Sequence, residues 1–299
     1  LKVDWEGLLL VDKPQGPTSH DVVARIRAAT GQRRIGHTGT LDPMASGLLP
    51  LVLGRATRLV RFLPHSPKEY HGSLRLGLTT RSDDITGKLL SRHDGPMPDA
   101  EAVLGAAGEL VGRRLQVPPA VSARKVRGER LYRLARRGIA AEAEAVEVKV
   151  DRFDLQPTDS SEIYTFEAVV SAGTYIRALV RDLGGLLGCG GVLDSLRRTR
   201  IGPMTPYPGL TFEPHGSPDV VSLREALIPM EEMALVPEPL HLEREEEAAR
   251  FAQGAAVRTW PDGPSSGLFR VLAPDGLLLG IAEMKGGVLH PKVVLPPCP

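Results

Sequence analysis

Residues 36–50 read GHTGTLDPMASGLLP. This string places a single carboxylate, Asp42, at the tip of a Gly/Thr-rich loop, with Pro43 fixing the turn behind it. Arg33, Arg34 and His37 precede it, and Leu48, Leu49, Leu51, Val52 and Leu53 follow as an apolar run. An isolated Asp-Pro is only a turn signal. Here the turn sits between a basic approach and a buried strand. A lone acid held that way beside cations suited to phosphate is a design for a nucleophile that meets nucleic acid.

Outward from the loop, the periodicity predicts a mixed set of elements. Gly7–Asp12 reads as a short buried strand closed by Lys13-Pro14. Thr18 with Asp21 three residues on predicts a capping box, and Val22, Val23, Ile26 and Ala29 recur at helical spacing until Gly31. Leu48–Leu53, Tyr70–Leu78, Val146–Phe153 and Ile163–Val170 read as strands. Asp99 opens a helix through Ala107, and Thr174–Leu187 reads as a helix with Ile176, Leu179, Val180 and Leu183 on one side. Arg124–Arg137 (RKVRGERLYRLARR) reads as a basic helix, and Pro203–Pro218 as an extended connection. After Pro237-Glu238-Pro239 the pattern changes to a short acidic helix, Glu243–Ala252, and then a hairpin turning at Asp275-Gly276.

The composition, 42% hydrophobic and 24% charged over 299 residues, is that of a soluble globular chain able to bury a full core. No apolar run reaches the length of a membrane span, the start shows no secretory signal, and the cytoplasm is the expected compartment. Cys189 and Cys298 fit no metal or disulfide spacing. A net charge of +1 hides segregation: Arg124–Arg137 carries one acid, Glu129, and Arg197, Arg198 and Arg200 form a second basic cluster. Acids gather at Glu243 and Glu245–Glu247. Such a distribution steers a polyanion without raising the net charge. The P-loop, HExxH, CxxC and G-x-S-x-G signatures are absent, and LLGCGGVLDSL follows a predicted helix rather than the strand a dinucleotide fingerprint needs.

The Gly36–Pro50 string closely resembles the GHxGTLDPxASGxLP signature of the TruB family of tRNA pseudouridine synthases. The resemblance continues in VDKPQG, in KEYHGSLRLG with its K-x-Y, in SAGTYIR, in LDSLRRTR, and more weakly in GIAEMKGGVLHPKVVL. It implies an α+β pseudouridine synthase fold with a central mixed, largely antiparallel sheet over residues 1–235. A small mostly-β, PUA-like RNA-binding domain would span 236–299. It implies Asp42 as nucleophile and Arg177 as its cationic partner. Tyr70 stacks on the uracil or relays a proton, and Tyr175 and Leu196 form the uracil pocket. His37 takes the space of the flipped nucleotide, Arg197 meets phosphate, and Lys13 sits in a turn or touches RNA.

The implied substrate is the T-loop uridine (position 55) of tRNA, extruded from its stack as base-modifying enzymes do. The implied enzyme is a monomer with no obligate protein partner, no cofactor and no metal, since the isomerisation involves no redox change. Departures from the family pattern are Val121 in PPAVSARK, Ala172 in SAGTYIR and Arg81 in TTRSDDITG, whereas Asp84 matches. Two other readings remain at this level: a protein whose main task is reshaping tRNA, and a guide-RNA-dependent relative.

Overall fold

The computed structural model describes residues 5–122, 124–126, 128–137, 139, 143–208, 210–211, 216, 218–258 and 265–295. The first apolar run forms β1 (Gly7–Lys13), and Thr18 caps α1 (Ser19–Thr30). The capping box is complete: Asp21 N–H donates to Thr18 Oγ1 at 3.1 Å, and Thr18 N–H donates to Asp21 Oδ2 at 2.8 Å. Gly31, at φ +69°, ends the helix in the left-handed conformation that glycine adopts without penalty. After β2 (Ile35–His37) the Asp42 loop leads into β3 (Ala45–Leu53), where every residue except Ser46 is buried.

That continuous apolar run has a reason: β3 is covered on both faces. Leu49, Leu51 and Leu53 share a core with Val22 and Ile26 of α1. Leu48 and Val52 belong to a second core with Leu8, Leu10, Leu59 and Phe62, the last two from a 3-10 segment, Gly54–Phe62.

The chain continues through β4 (Lys68–Leu76), the hairpin β5 (Leu78–Thr80) and β6 (Leu89–Arg92), α2 (Ala100–Glu109), and β7 (Gly112–Gln116). Then follow β8 (Lys125–Val126), β9 (Glu129–Arg130), α3 (Leu131–Arg136), β10 (Val146–Pro157), β11 (Ile163–Val170), α4 (Ile176–Leu186) and β12 (Gly191–Ile201). The main sheet runs β1-β3-β12-β4-β11-β10-β7, with β2 on β3. Its β3–β12 pair is parallel and its other pairs are antiparallel, the mixed, largely antiparallel sheet expected. Strand β12 lies between β3 and β4, yet its polar sequence, GVLDSLRRTRI, carries no strand signal.

The basic stretch corrects the sequence reading. Among its described residues, β8 and β9 form a hairpin and only Leu131–Arg136 is helical. Gly128, at φ +85°, lies between the two strands. A glycine inside a helix is unfavourable by about 1 kcal/mol relative to alanine, and here it serves a turn instead.

The connection after β12 runs along β1: Tyr207 N–H donates to Leu10 O at 2.8 Å, and Thr211 bridges Asp12. Residues 209, 212–215 and 217 of that expected connection lie outside the described residues. A short α5 (Val220–Glu225) leads to the C-terminal elements. These are β13 (Glu238–His241), α6 (Glu245–Ala252), β14 (Val257–Arg258), β15 (Ser266–Leu272), β16 (Leu278–Lys285) and β17 (Val288–Val294). They form a sheet ordered β13-β15-β16-β17-β14. The β15–β16 turn uses Gly276 at φ +88°, and Asp275 Oδ1 accepts from Leu277 N–H at 3.0 Å. Leu272, Leu278, Ile281 and Val293 of this sheet share one apolar core with Leu8, Leu48 and Val52 of the first.

The β3–β12 contact depends on a glycine. A Cβ on Gly47 (φ +98°) would stand 2.2 Å from the Arg198 carbonyl oxygen. Gly47→Ala is therefore expected to lower stability by roughly 3 kcal/mol or more in thermal or urea melts. Gly36→Ala, where nothing lies within 4 Å of the new carbon, is the matched control. Equal melts for the two variants would refute the close approach.

Candidate active site

The Asp42 loop is tied to the rest of the molecule at several points. Thr38 N–H donates to Pro50 O at 3.1 Å, and Ala45 N–H closes the Asp42 turn by donating to Asp42 O at 3.1 Å. Ser19 Oγ bridges both ends of Leu41: it receives Leu41 N–H at 3.0 Å and donates to Leu41 O at 3.0 Å. Beneath the loop, Arg198 Nε donates to Leu48 O and Nη2 to Gly39 O, each at 2.8 Å. The Lys13 ammonium donates to Pro14 O (2.9 Å), Pro17 O (2.8 Å) and Pro43 O (3.5 Å). The backbone on both sides of Asp42 is thereby fixed, so its carboxylate has a defined position.

Arg177, in the first turn of α4, meets it. Arg177 Nε lies 2.9 Å from Asp42 Oδ2. Its Nη1 donates to Ser82 O at 2.7 Å and its Nη2 to Val121 O at 2.9 Å, so all three nitrogens have assigned partners. A second carboxylate, Asp84 Oδ2, is 3.8 Å from Nη1. Asp84 is itself held through Oδ1 by Ser82 Oγ (2.9 Å), Thr86 N–H (3.0 Å) and Thr86 Oγ1 (2.6 Å). Arg181, one turn further along α4, reaches Asp83 Oδ2 at 3.1 Å, so two residues of one helix face grip the same loop. Burial pushes the Asp83 carboxyl upward, against the pull of Arg181.

The contrast in exposure matters: the Arg177 side chain is 5% exposed and that of Asp42 38%. The guanidinium is part of the scaffold, and the carboxylate faces a cleft of about 420 Å³ lined also by Met44, Ser82, Asp84 and Val121. A positioned, accessible carboxylate held by a rigid arginine can attack an electrophilic carbon and later leave.

The other expected residues divide. Tyr70 and Leu196 are buried in the core that also contains Leu41 and Ala45, the residues flanking the Asp42 turn. Leu196 pairs with Ala45 and Gly72, and Tyr70 pairs with Arg198 and Ala168, so both lie in the central strands beside the loop. Tyr175 caps α4 and is half-buried; its N–H donates to Gln116 Oε1 at 2.9 Å, and Gln116 Nε2 donates back to its carbonyl at 3.2 Å. His37 pairs with Leu51 in β2, half-buried, with its ring edge-on to His20 at 5.9 Å between centroids.

Of the two roles expected for Lys13, the structure keeps the turn. Lys13 has no exposed surface, and its ammonium is committed to three carbonyls, so it supports the loop rather than touching RNA. Burial lowers its pKa to about 8, with the Asp42 carboxylate acting in the opposite sense. Arg197 is paired through both terminal nitrogens with the Asp12 carboxylate, which raises its pKa, while its side chain stays 45% exposed. Sequence reasoning also missed Ser19, Ser82 and Gln116, for which no local pattern gives a signal, because their partners lie far away in the chain. Val121 contributes its carbonyl to Arg177, a contact that does not depend on which side chain stands there.

Comparison with known proteins identifies the family. Residues 27–176 match the N-terminal domain model of the TruB family pseudouridylate synthases. Residues 177–234 match the tRNA pseudouridylate synthase B C-terminal domain, and residues 240–295 match "Pseudouridine synthase II TruB, C-terminal". The chain is 42% identical to the tRNA pseudouridine synthase B of Thermobifida fusca over 97% of its length and 98% of that protein. It is also 42% identical to that of Synechococcus elongatus over 97% of its length and 98% of the relative. Among solved structures, a chain of a Cbf5-Nop10-Gar1 complex superposes with a TM-score of 0.69 at 26% identity, covering 98% of this chain and 86% of the other. With domain models end to end and relatives matched over nearly their whole length, the chain belongs to the TruB family of pseudouridylate synthases and is an isomerase.

Proposed function

We propose that this chain converts the T-loop uridine of tRNA, position 55, to pseudouridine with Asp42 as the nucleophile. The observation that carries the reading is the Asp42–Arg177 contact, 2.9 Å, at the open edge of a cleft, with the arginine buried behind it. The isomerisation breaks N1–C1′, turns the uracil and joins C5 to C1′; C5 gives up its proton and the freed N1 gains one. A carboxylate serves this sequence by bonding covalently to C1′ or to C6 and departing once the base has turned. Arg177 holds the carboxylate on line while the nucleotide enters. Tyr70 offers an aromatic face, and stacking on a base contributes about 1–3 kcal/mol. Leu196 and Tyr175 complete the uracil pocket, and His37 contacts the flipped nucleotide.

Residues 1–235 are read as the catalytic unit. Residues 236–299 are read as a PUA-like RNA-binding unit, supported by the separate sheet that begins at Glu238. The enzyme is read as a cytoplasmic monomer acting directly on tRNA, and among the described residues no helix is long and apolar enough to cross a membrane. Relatives at 42% identity named for tRNA favour this over a guide-dependent reading, for which the 26% identical neighbour from a multi-protein complex speaks. The test is tritium release from 5-tritiated-uridine tRNA transcript by the purified chain alone. Release mapped to the T loop is the expected result. Tight binding without release would overturn the stand-alone reading.

A further inference from the structure

Besides Arg177, three cations gather around the Asp42 loop, and two are accounted for as supports: Lys13 through three carbonyls, and Arg198 through Leu48 O and Gly39 O. Lys68, at the start of β4, is different. It is half-buried, and among the described residues its ammonium makes no hydrogen bond or ion pair. Burial and the like charge of Arg198 lower its pKa to about 8. A desolvated ammonium facing another cation is unfavourable in the empty protein. The arrangement gains if an anion enters.

Gly39 shows where. This glycine is exposed, at φ +71°, three residues before Asp42. The point where its Cβ would stand lies 3.3 Å from Arg198 Nη1 and 3.6 Å from Lys68 Nζ. Arg198 Nη1 is also the guanidinium nitrogen not engaged with Leu48 O or Gly39 O. Both cationic nitrogens therefore converge beside Gly39, on the side that no side chain covers. Arg198 is 1% exposed, so the half-buried Lys68 ammonium is the one that an arriving oxyanion can meet in a charge-assisted bond, with the Arg198 charge behind it. Lys68 and Tyr70 stand two residues apart on β4 and so project from the same face of the sheet. The anion place is therefore on the side of the tyrosine assigned to the uracil.

We propose that Lys68 Nζ, backed by the charge of Arg198, holds a non-bridging oxygen of the RNA backbone phosphate adjacent to the uridine presented to Asp42, beside the face that Gly39 leaves uncovered by lacking a side chain. This rests on the RNA isomerase reading above and adds a substrate-positioning residue, Lys68, to it.

The experiment uses a T stem-loop RNA with all phosphates charged and two versions carrying a neutral methylphosphonate on the 5′ or the 3′ side of the target uridine. Lys68→Met is expected to raise Kd for the charged RNA about tenfold and to reduce the salt slope of log Kd by about 0.7–0.9. One neutral linkage should weaken the wild type by the same factor and leave Lys68→Met unchanged, and Lys68→Arg should recover most of the loss. Lys68→Met should melt no lower than the wild type, since it removes an unpaired, desolvated charge. Additive losses from variant and linkage, an unchanged salt slope, or a lowered melt would overturn the proposal. Competition by inorganic phosphate without any sensitive linkage would overturn the assignment to the RNA backbone. The linkage effect is read in binding, so absent turnover by the wild type would count against the isomerase reading and not against this site.

Discussion

Asp42→Asn is expected to reduce single-turnover isomerisation by a factor on the order of 10⁴ or more, with tRNA affinity unchanged within about threefold. The substitution keeps side-chain volume, and an amide oxygen can still accept from Arg177 Nε, so the loop has little reason to move. Its backbone supports, Ser19, Lys13 and Arg198, do not involve the Asp42 side chain. What disappears is an oxygen able to form and release a covalent bond to carbon. Tritium release gives the chemistry, and filter binding of the same tRNA gives the affinity. A variant within tenfold of the wild-type rate would remove Asp42 from the nucleophile's role. Retained tRNA refolding by an inactive variant would separate any RNA-reshaping task from catalysis.

Arg177 is expected to produce the next largest effect, in two distinguishable forms. Arg177→Met leaves the buried Asp84 carboxylate without its cation and the Ser82 and Val121 carbonyls without their donor. Removing one member of a buried ion pair destabilises by about 3–5 kcal/mol, and this variant should show that loss in a urea melt. Arg177→Lys keeps the charge, but a single ammonium on a shorter chain cannot reproduce the fork that meets Asp42, Ser82 and Val121 together. That variant should fold, with single-turnover chemistry slower by roughly 100-fold because the carboxylate is no longer held on line. Wild-type chemistry in folded Arg177→Lys would show that charge alone suffices.

Much of the site was legible in the sequence because it is encoded locally. The fifteen residues around Asp42 contain the turn, the glycines and the apolar strand that anchors them. The Thr18–Asp21 box and the Asp99 cap are likewise complete within four residues, and both stand where the spacing puts them. The failures share a different cause. β12 carries three arginines and an aspartate, and nothing local shows that one arginine, Arg198, turns inward to reach carbonyls 150 and 159 residues away. Arg197, the next residue, looked like a free cation until the fold brought Asp12 to it across 185 residues. In the basic stretch the cause is local: Gly128 is visible in the sequence and disfavours a continuous helix there.

The apolar layer between the two sheets has a consequence for anyone who would rearrange this protein. Leu48 and Val52 alternate with residues facing α1, and their own side packs with Leu272, Leu278, Ile281 and Val293 from the C-terminal sheet. The strand that launches from the Asp42 turn is thus roofed by the very part of the chain one would exchange to redirect the enzyme toward another RNA. A grafted module would have to bring more than a nucleic-acid surface. On its reverse side it would need a greasy footprint of matching shape, or the transplant would open to water the part of this layer that Leu272, Leu278, Ile281 and Val293 now cover.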